Sequence, residues 1–158
     1  MVYVTSSATP TLEGLRITGG DASGLGGGPS GEDAGGGLYV AGSATLTGTQ
    51  VFSNTAQRGG GLYQNSDSRR LEVTNGRFER NSANGSGDYD GGGGLYVRGT
   101  ASLTDTQVIS NTALSYGGGL YQSGSSGRVE VSGGRFERNT ATNYYGGGLY
   151  VALSLIHI

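Results

Sequence analysis

Few residues in this chain have the types and spacing that chemistry needs. The closest aspartate pair, Asp88 and Asp90 in Asp-Tyr-Asp-Gly, could offer oxygens to calcium, but it lacks the glutamate and spacing of a helix-loop-helix calcium site. A solvated glycine-rich loop explains it as well. The six aspartates are otherwise dispersed, at positions 21, 33, 67, 88, 90 and 105. Among glutamates, Glu72 with Glu130 and Glu79 with Glu137 recur in equivalent contexts, which is what outward positions of a repeat would show. The single histidine, His157, lies in an atypical tail; lysine and cysteine are absent, so neither thiol redox chemistry nor a thiolate metal site is available. These residues predict no catalytic group, no metal site and no cofactor.

Tyrosine is better placed. Tyr89, Tyr116, Tyr144 and Tyr145 all stand just before glycine clusters, and exposed aromatics gathered on one edge suit contact with sugars or a protein partner. Six others, Tyr3, Tyr39, Tyr63, Tyr96, Tyr121 and Tyr150, follow leucine or valine in one recurring phrase, and are expected to form an external ring stack along the outside of the fold.

What positions them is a repeat. Gly-Gly-Gly-Leu-Tyr occurs five times, with its leucine at Leu38, Leu62, Leu95, Leu120 and Leu149. A second fixed point is Asn-Thr-Ala or Asn-Ser-Ala at Asn54, Asn81, Asn111 and Asn139, giving a unit of about 28 residues. A unit this short cannot bury its apolar face alone and must stack on its copies. The 34 glycines and low charge would otherwise suggest a disordered linker. They fall in clusters and not at every third position, which excludes collagen. The glycine phrase also leads into an alternating apolar segment with no Lys-Ser/Thr after it, which excludes a phosphate loop.

Period-two patterning gives three short strands per coil: the glycine-led strand, a segment such as Ala44 to Thr47, and one such as Gln50 to Ser53. In-register stacking then predicts interior files: Leu12, Leu46, Val73, Leu103 and Val131; Ile17, Val51, Phe78, Val108 and Phe136; and the phrase leucines. Alanines 22, 56, 83, 113 and 141 mark a tight corner. The preceding Asn54, Asn81, Asn111 and Asn139 are expected to tolerate left-handed backbone and to bond to one another as an amide ladder. Coils alternate: Leu38 and Leu95 lead to Val, Leu62 and Leu120 to Gln, and the charged Arg-Phe-Glu-Arg segments occur only in the second type. That alternation keeps like charges about 10 Å apart instead of stacked at adjacent strands.

At this point the chain resembles the right-handed parallel β-helices, pectin-lyase-like, of bacterial secreted and surface proteins. Phe78-Glu79-Arg80-Asn81 and Phe136-Glu137-Arg138-Asn139 look like the Phe-x-x-Asn repeat of polymorphic outer-membrane and autotransporter passenger proteins. The fold class expected is therefore all-β: a right-handed parallel β-helix solenoid of three short strands per coil and about five coils, over residues 1–152. The resemblance implies a passenger or stalk region that is extracellular or cell-surface, non-enzymatic and adhesive. Its alternative is a piece of a polysaccharide lyase or glycoside hydrolase whose catalytic residues lie outside this chain. Residues 153–158 drop the repeat and are expected not to belong to the native protein, and the uncapped repeats at both ends suggest a fragment continued by the rest of the same polypeptide.

A net charge of -2 with no basic cluster beyond Arg69-Arg70 disfavours nucleic acid, and no apolar run is long enough for a membrane span. Surface glycans or proteins are the partners left. The segments expected to meet them are 23–34, 65–70, 84–90 and 123–128, where the repeat is least regular.

Overall fold

The computed structural model describes residues 1–24, 31, 33–124 and 126–152. The tail, His157 and most of the 23–34 segment therefore lie outside the described residues. Among those described there is no helix, and the chain is a parallel β-solenoid of about four turns, matching the right-handed β-helix class.

Among the described residues, strands stack into four sheets of six, five, five and four members, and every pairing is parallel. One complete turn runs through Leu62–Gln64, Arg70–Thr74, Arg77–Glu79 and Ser82–Ala83. Three strands per turn are those the sequence pattern predicts. The fourth, two residues long, is the alanine corner, which pairs with its copies as a narrow sheet: Ala56, Ala83, Ala113 and Ala141 lie side by side.

The interior files form as expected. Val51, Phe78, Val108 and Phe136 are consecutive partners, as are Leu46, Val73, Leu103 and Val131. Burying them holds the coils together, at about 25 cal/mol for each Å² of apolar surface removed from water. Two further interior files are Ala44, Leu71, Ala101 and Val129, and Val40, Gln64, Val97, Gln122 and Val151. Large and small residues alternate along these files, so a Phe78 or Leu71 in one turn sits against Val51 and Val108 or Ala44 and Ala101 in its neighbours. Charge separation on the outside is thus only half the reason for paired coils; interdigitation inside is the other half.

On the outside, register places Glu79 between Phe52 and Ile109, and Glu72 between Thr45 and Ser102. Each recurring glutamate is also held by the arginine two residues before it: Arg70 with Glu72 at 2.8 Å, Arg77 with Glu79 at 2.9 Å, Arg128 with Glu130 at 2.9 Å and Arg135 with Glu137 at 3.0 Å. Hydrogen bonding from Arg77 keeps the Glu79 carboxyl below its ordinary range.

The asparagine ladder is present and buried. Asn54, Asn81 and Asn111 each donate from Nδ2 to the Oδ1 of the next asparagine at 3.0 Å, ending on Asn139. Each Oδ1 also accepts the backbone N–H of the asparagine before it, and each Nδ2 reaches a carbonyl in the previous turn, as Asn81 does to Val51 at 2.9 Å. One expectation is corrected: the left-handed residue is not the asparagine but the one preceding it, Ser53, Arg80, Ser110 and Arg138, all with φ near +53°. A single left-handed residue turns the chain there and swings the following asparagine side chain into the stack.

The glycine phrase is explained by the same contacts. At Gly60 a Cβ would lie 2.3 Å from the Ser82 carbonyl oxygen of the next turn, and at Gly61 it would lie 3.0 Å from the Asn81 amide carbon. Glycine here makes room for the ladder and for the adjacent coil.

Candidate binding surface

The six-stranded sheet carries the recurring tyrosines on the side away from the main core. Their rings run as a continuous stack, with centroid separations of 5.4 Å from Tyr3 to Tyr39, 5.3 Å to Tyr63, 4.7 Å to Tyr96, 5.0 Å to Tyr121 and 5.5 Å to Tyr150. The expected stack exists, but its middle is not external. Tyr39, Tyr63, Tyr96 and Tyr121 are buried as a second apolar cluster, while Tyr3 at one end is exposed. The reason is local: the segments on either border of this sheet fold over the rings, with Ala34, Ala41 and Tyr116 packed on them. Burial raises the ionisation of the Tyr96 and Tyr121 phenols above the ordinary range.

The edge tyrosines divide into two groups. Tyr116 stacks on Tyr144 at 4.8 Å with rings 14° from parallel, contacts Tyr145 at 6.5 Å, and joins the main stack through Tyr121 at 5.8 Å and Tyr150 at 4.8 Å. Tyr144 and Tyr145 present exposed faces. Tyr89 does not join them: among the described residues no ring contact involves it, and at 74% exposure it is the most exposed large apolar side chain. The backbone shows why. Ala34, Arg58, Gly91 and Tyr116 form the bridged row on this border, so Tyr116 aligns with Gly91, two residues beyond Tyr89.

Tyr89 instead lines a cleft of about 380 Å³ with Arg58, Asp67, Arg98 and Ser123, over Tyr63 and Tyr96 of the stack. Arg58 Nε bonds to Asp90 Oδ1 at 2.9 Å, and Arg98 Nε to Asp67 Oδ1 at 3.1 Å, with Arg98 Nη1 donating to Asn65 Oδ1 at 3.1 Å. Burial opposes the charge on Arg98, but Asp67 and the Tyr63 phenol outweigh it and hold the guanidinium cationic. Burial raises the Tyr96 phenol, while Ser123 and both arginines oppose that rise. Asp90 is committed here, since its other oxygen accepts the Gly87 N–H at 2.8 Å, while Asp88 is exposed. The two aspartates therefore do not act as one ligand pair.

Asp67 and Ser123 fall in segments that sequence irregularity had marked, 65–70 and 123–128. Arg58 and Arg98 do not. The signal that could have found them is departure from the repeat. The slot after each strand of the six-stranded sheet is Thr5, Ala41, Asn65, Arg98, Ser123 and Ala152 through successive turns, charged only at Arg98.

Buried glutamines were also missed. Gln64 and Gln122 are fully buried, and Gln64 donates to the Arg69 carbonyl at 2.9 Å and accepts the Gly99 N–H at 3.2 Å, while Gln122 donates to the Gly124 carbonyl at 2.6 Å. They fasten the loops that form one wall of the cleft. Among the described residues, no helix is long and apolar enough to cross a membrane.

No known protein family, curated protein or solved structure matches the chain.

Proposed function

We propose that this chain is a non-enzymatic rod segment of a secreted or cell-surface bacterial protein, holding loops and edge aromatics out for contact with glycans or proteins. The observation that carries the reading is where the recurring polar side chains point. The asparagines bond to one another, the glutamates to arginines two residues before them, and the buried glutamines to loop backbone. Groups so engaged build a stiff stack; acid–base or nucleophilic work requires groups poised toward a substrate. Exposed Tyr89, Tyr144 and Tyr145 stand on the irregular border instead, the kind of place where solenoids present contacts. The resemblance of the Phe-x-x-Asn segments to passenger-domain repeats supports the same assignment.

The test is a binding screen of the purified chain against immobilised glycans and fixed bacterial and host cells, beside a variant carrying Tyr144→Ala and Tyr145→Ala. Retention by the parent on at least one surface is the expected result. A parent that binds nothing, or that cleaves a polysaccharide in the same screen, refutes the reading.

A further inference from the structure

The cleft under Tyr89 interrupts the repeat on both borders of the tyrosine sheet in the same turns. One border changes from Ala34 to Arg58 and the other from Ala41 to Asn65 and Arg98, so two arginines line one cleft with Tyr63 and Tyr96. Stacking needs neither arginine, because alanine fills equivalent slots elsewhere in the same rows and packs on the rings. Two other surface hollows, one around Arg70 and Glu72 and one around Asn84 and Asp90, have no aromatic wall.

We infer that this cleft binds one or two pyranose rings of an uncharged glycan, an assignment that rests on the contact role proposed above. Three features of the walls select that chemistry. Tyr89 offers an open ring face of the kind that packs on the C–H face of a sugar, in a cleft whose volume lies at the small end for ligand sites. Around it stand a carboxylate that accepts, a guanidinium that donates and a hydroxyl that does both, at Asp67, Arg98 and Ser123, which suits sugar hydroxyls that donate and accept in turn. The charge, finally, is balanced: Arg98 is paired with Asp67 and Arg58 with Asp90. An anionic sugar would have to displace or lie beside these carboxylates, and a cationic ligand would meet the arginines, so a neutral ligand is the one that leaves both pairs intact.

The experiment measures affinity of the full chain for cellotetraose, xylotetraose and mannotetraose, with oligogalacturonate and a sulfated oligosaccharide as charged arms. The variants are Tyr89→Ala, Arg98→Met and the Tyr144→Ala/Tyr145→Ala pair, each checked for an unchanged far-UV spectrum. At least one neutral probe should bind, with affinity falling about tenfold or more in Tyr89→Ala and Arg98→Met, and by less than in either of these in the Tyr144/Tyr145 variant. Binding of the charged arms alone, binding of no probe, or a Tyr89→Ala variant that binds like the parent overturns the assignment. If the Tyr144/Tyr145 variant loses glycan binding and Tyr89→Ala keeps it, the contact role stands and this cleft is the wrong place.

Discussion

Replacing Asn81 by alanine removes the middle of the amide ladder, and its consequence can be worked from the contacts. The Asn81 side chain makes four hydrogen bonds: Oδ1 accepts from Asn54 N at 3.1 Å and Asn54 Nδ2 at 3.0 Å, and Nδ2 donates to Asn111 Oδ1 at 3.0 Å and Val51 O at 2.9 Å. Asn54, Asn81 and Asn111 are all buried, so water does not replace these partners without opening the stack. Asn54 Nδ2 keeps its bond to the Ile17 carbonyl at 3.2 Å, whereas the Asn54 backbone N–H loses its acceptor. At about 1 kcal/mol for each bond, and up to about 3 kcal/mol for an orphaned buried donor, the substitution should destabilise by about 3–5 kcal/mol. That is a large share of the ~5–15 kcal/mol of a typical fold. With a urea slope of about 2 kcal/mol per molar, the unfolding midpoint followed by far-UV circular dichroism should fall by about 2 M. Asn81→Asp separates polarity from size, because its second oxygen would face two acceptors, Val51 O and Asn111 Oδ1; it should cost at least as much as alanine at neutral pH. Asn139→Ala, at a half-buried rung, should cost less than half as much. A loss below about 1 kcal/mol for Asn81→Ala, or an Asn81→Asp variant as stable as the parent, would show that the ladder does not hold the coils.

Two further outcomes follow from the backbone and from the tyrosine stack. Gly60→Ala, whose Cβ would lie 2.3 Å from the Ser82 carbonyl oxygen, should lose about 3 kcal/mol or more in the same assay. Gly48→Asn should change stability by less than about 0.5 kcal/mol, because the site is open and Asn75 and Asp105 hold the matching left-handed conformation in the next two turns; equal losses for the two would refute the packing argument. The phenols of Tyr96 and Tyr121 are raised by burial, so the folded state keeps their protons to higher pH than the unfolded state does. Their contribution is complete below the ordinary phenol range near pH ~10 and is lost as pH rises above it. Thermal melts across that range should show the fall, and Tyr121→Phe should flatten it.

The linear pattern was enough to fix the architecture, because a solenoid's core is written in one dimension: each residue's neighbours are its own counterparts in adjacent copies. Period-two segments and two recurring phrases therefore placed Val51, Phe78, Val108 and Phe136 in one file and aligned the asparagines as a ladder. What the pattern did not hold was which side of a strand is covered by the connecting segments. Tyr63 and Tyr96 sit on the outward side of their strands, as alternation requires, yet they are buried because the borders of the sheet close over them. Likewise the left-handed corner fell one residue before the asparagine, a matter of backbone direction that residue type alone leaves open. The candidate site was the least legible part. Arg58, Tyr89, Arg98 and Asp67 come from different turns and from the segments where the repeat fails, so only the folded path of those loops brings them around one cleft. Periodicity determines what repeats, and the tertiary structure decides what the exceptions meet.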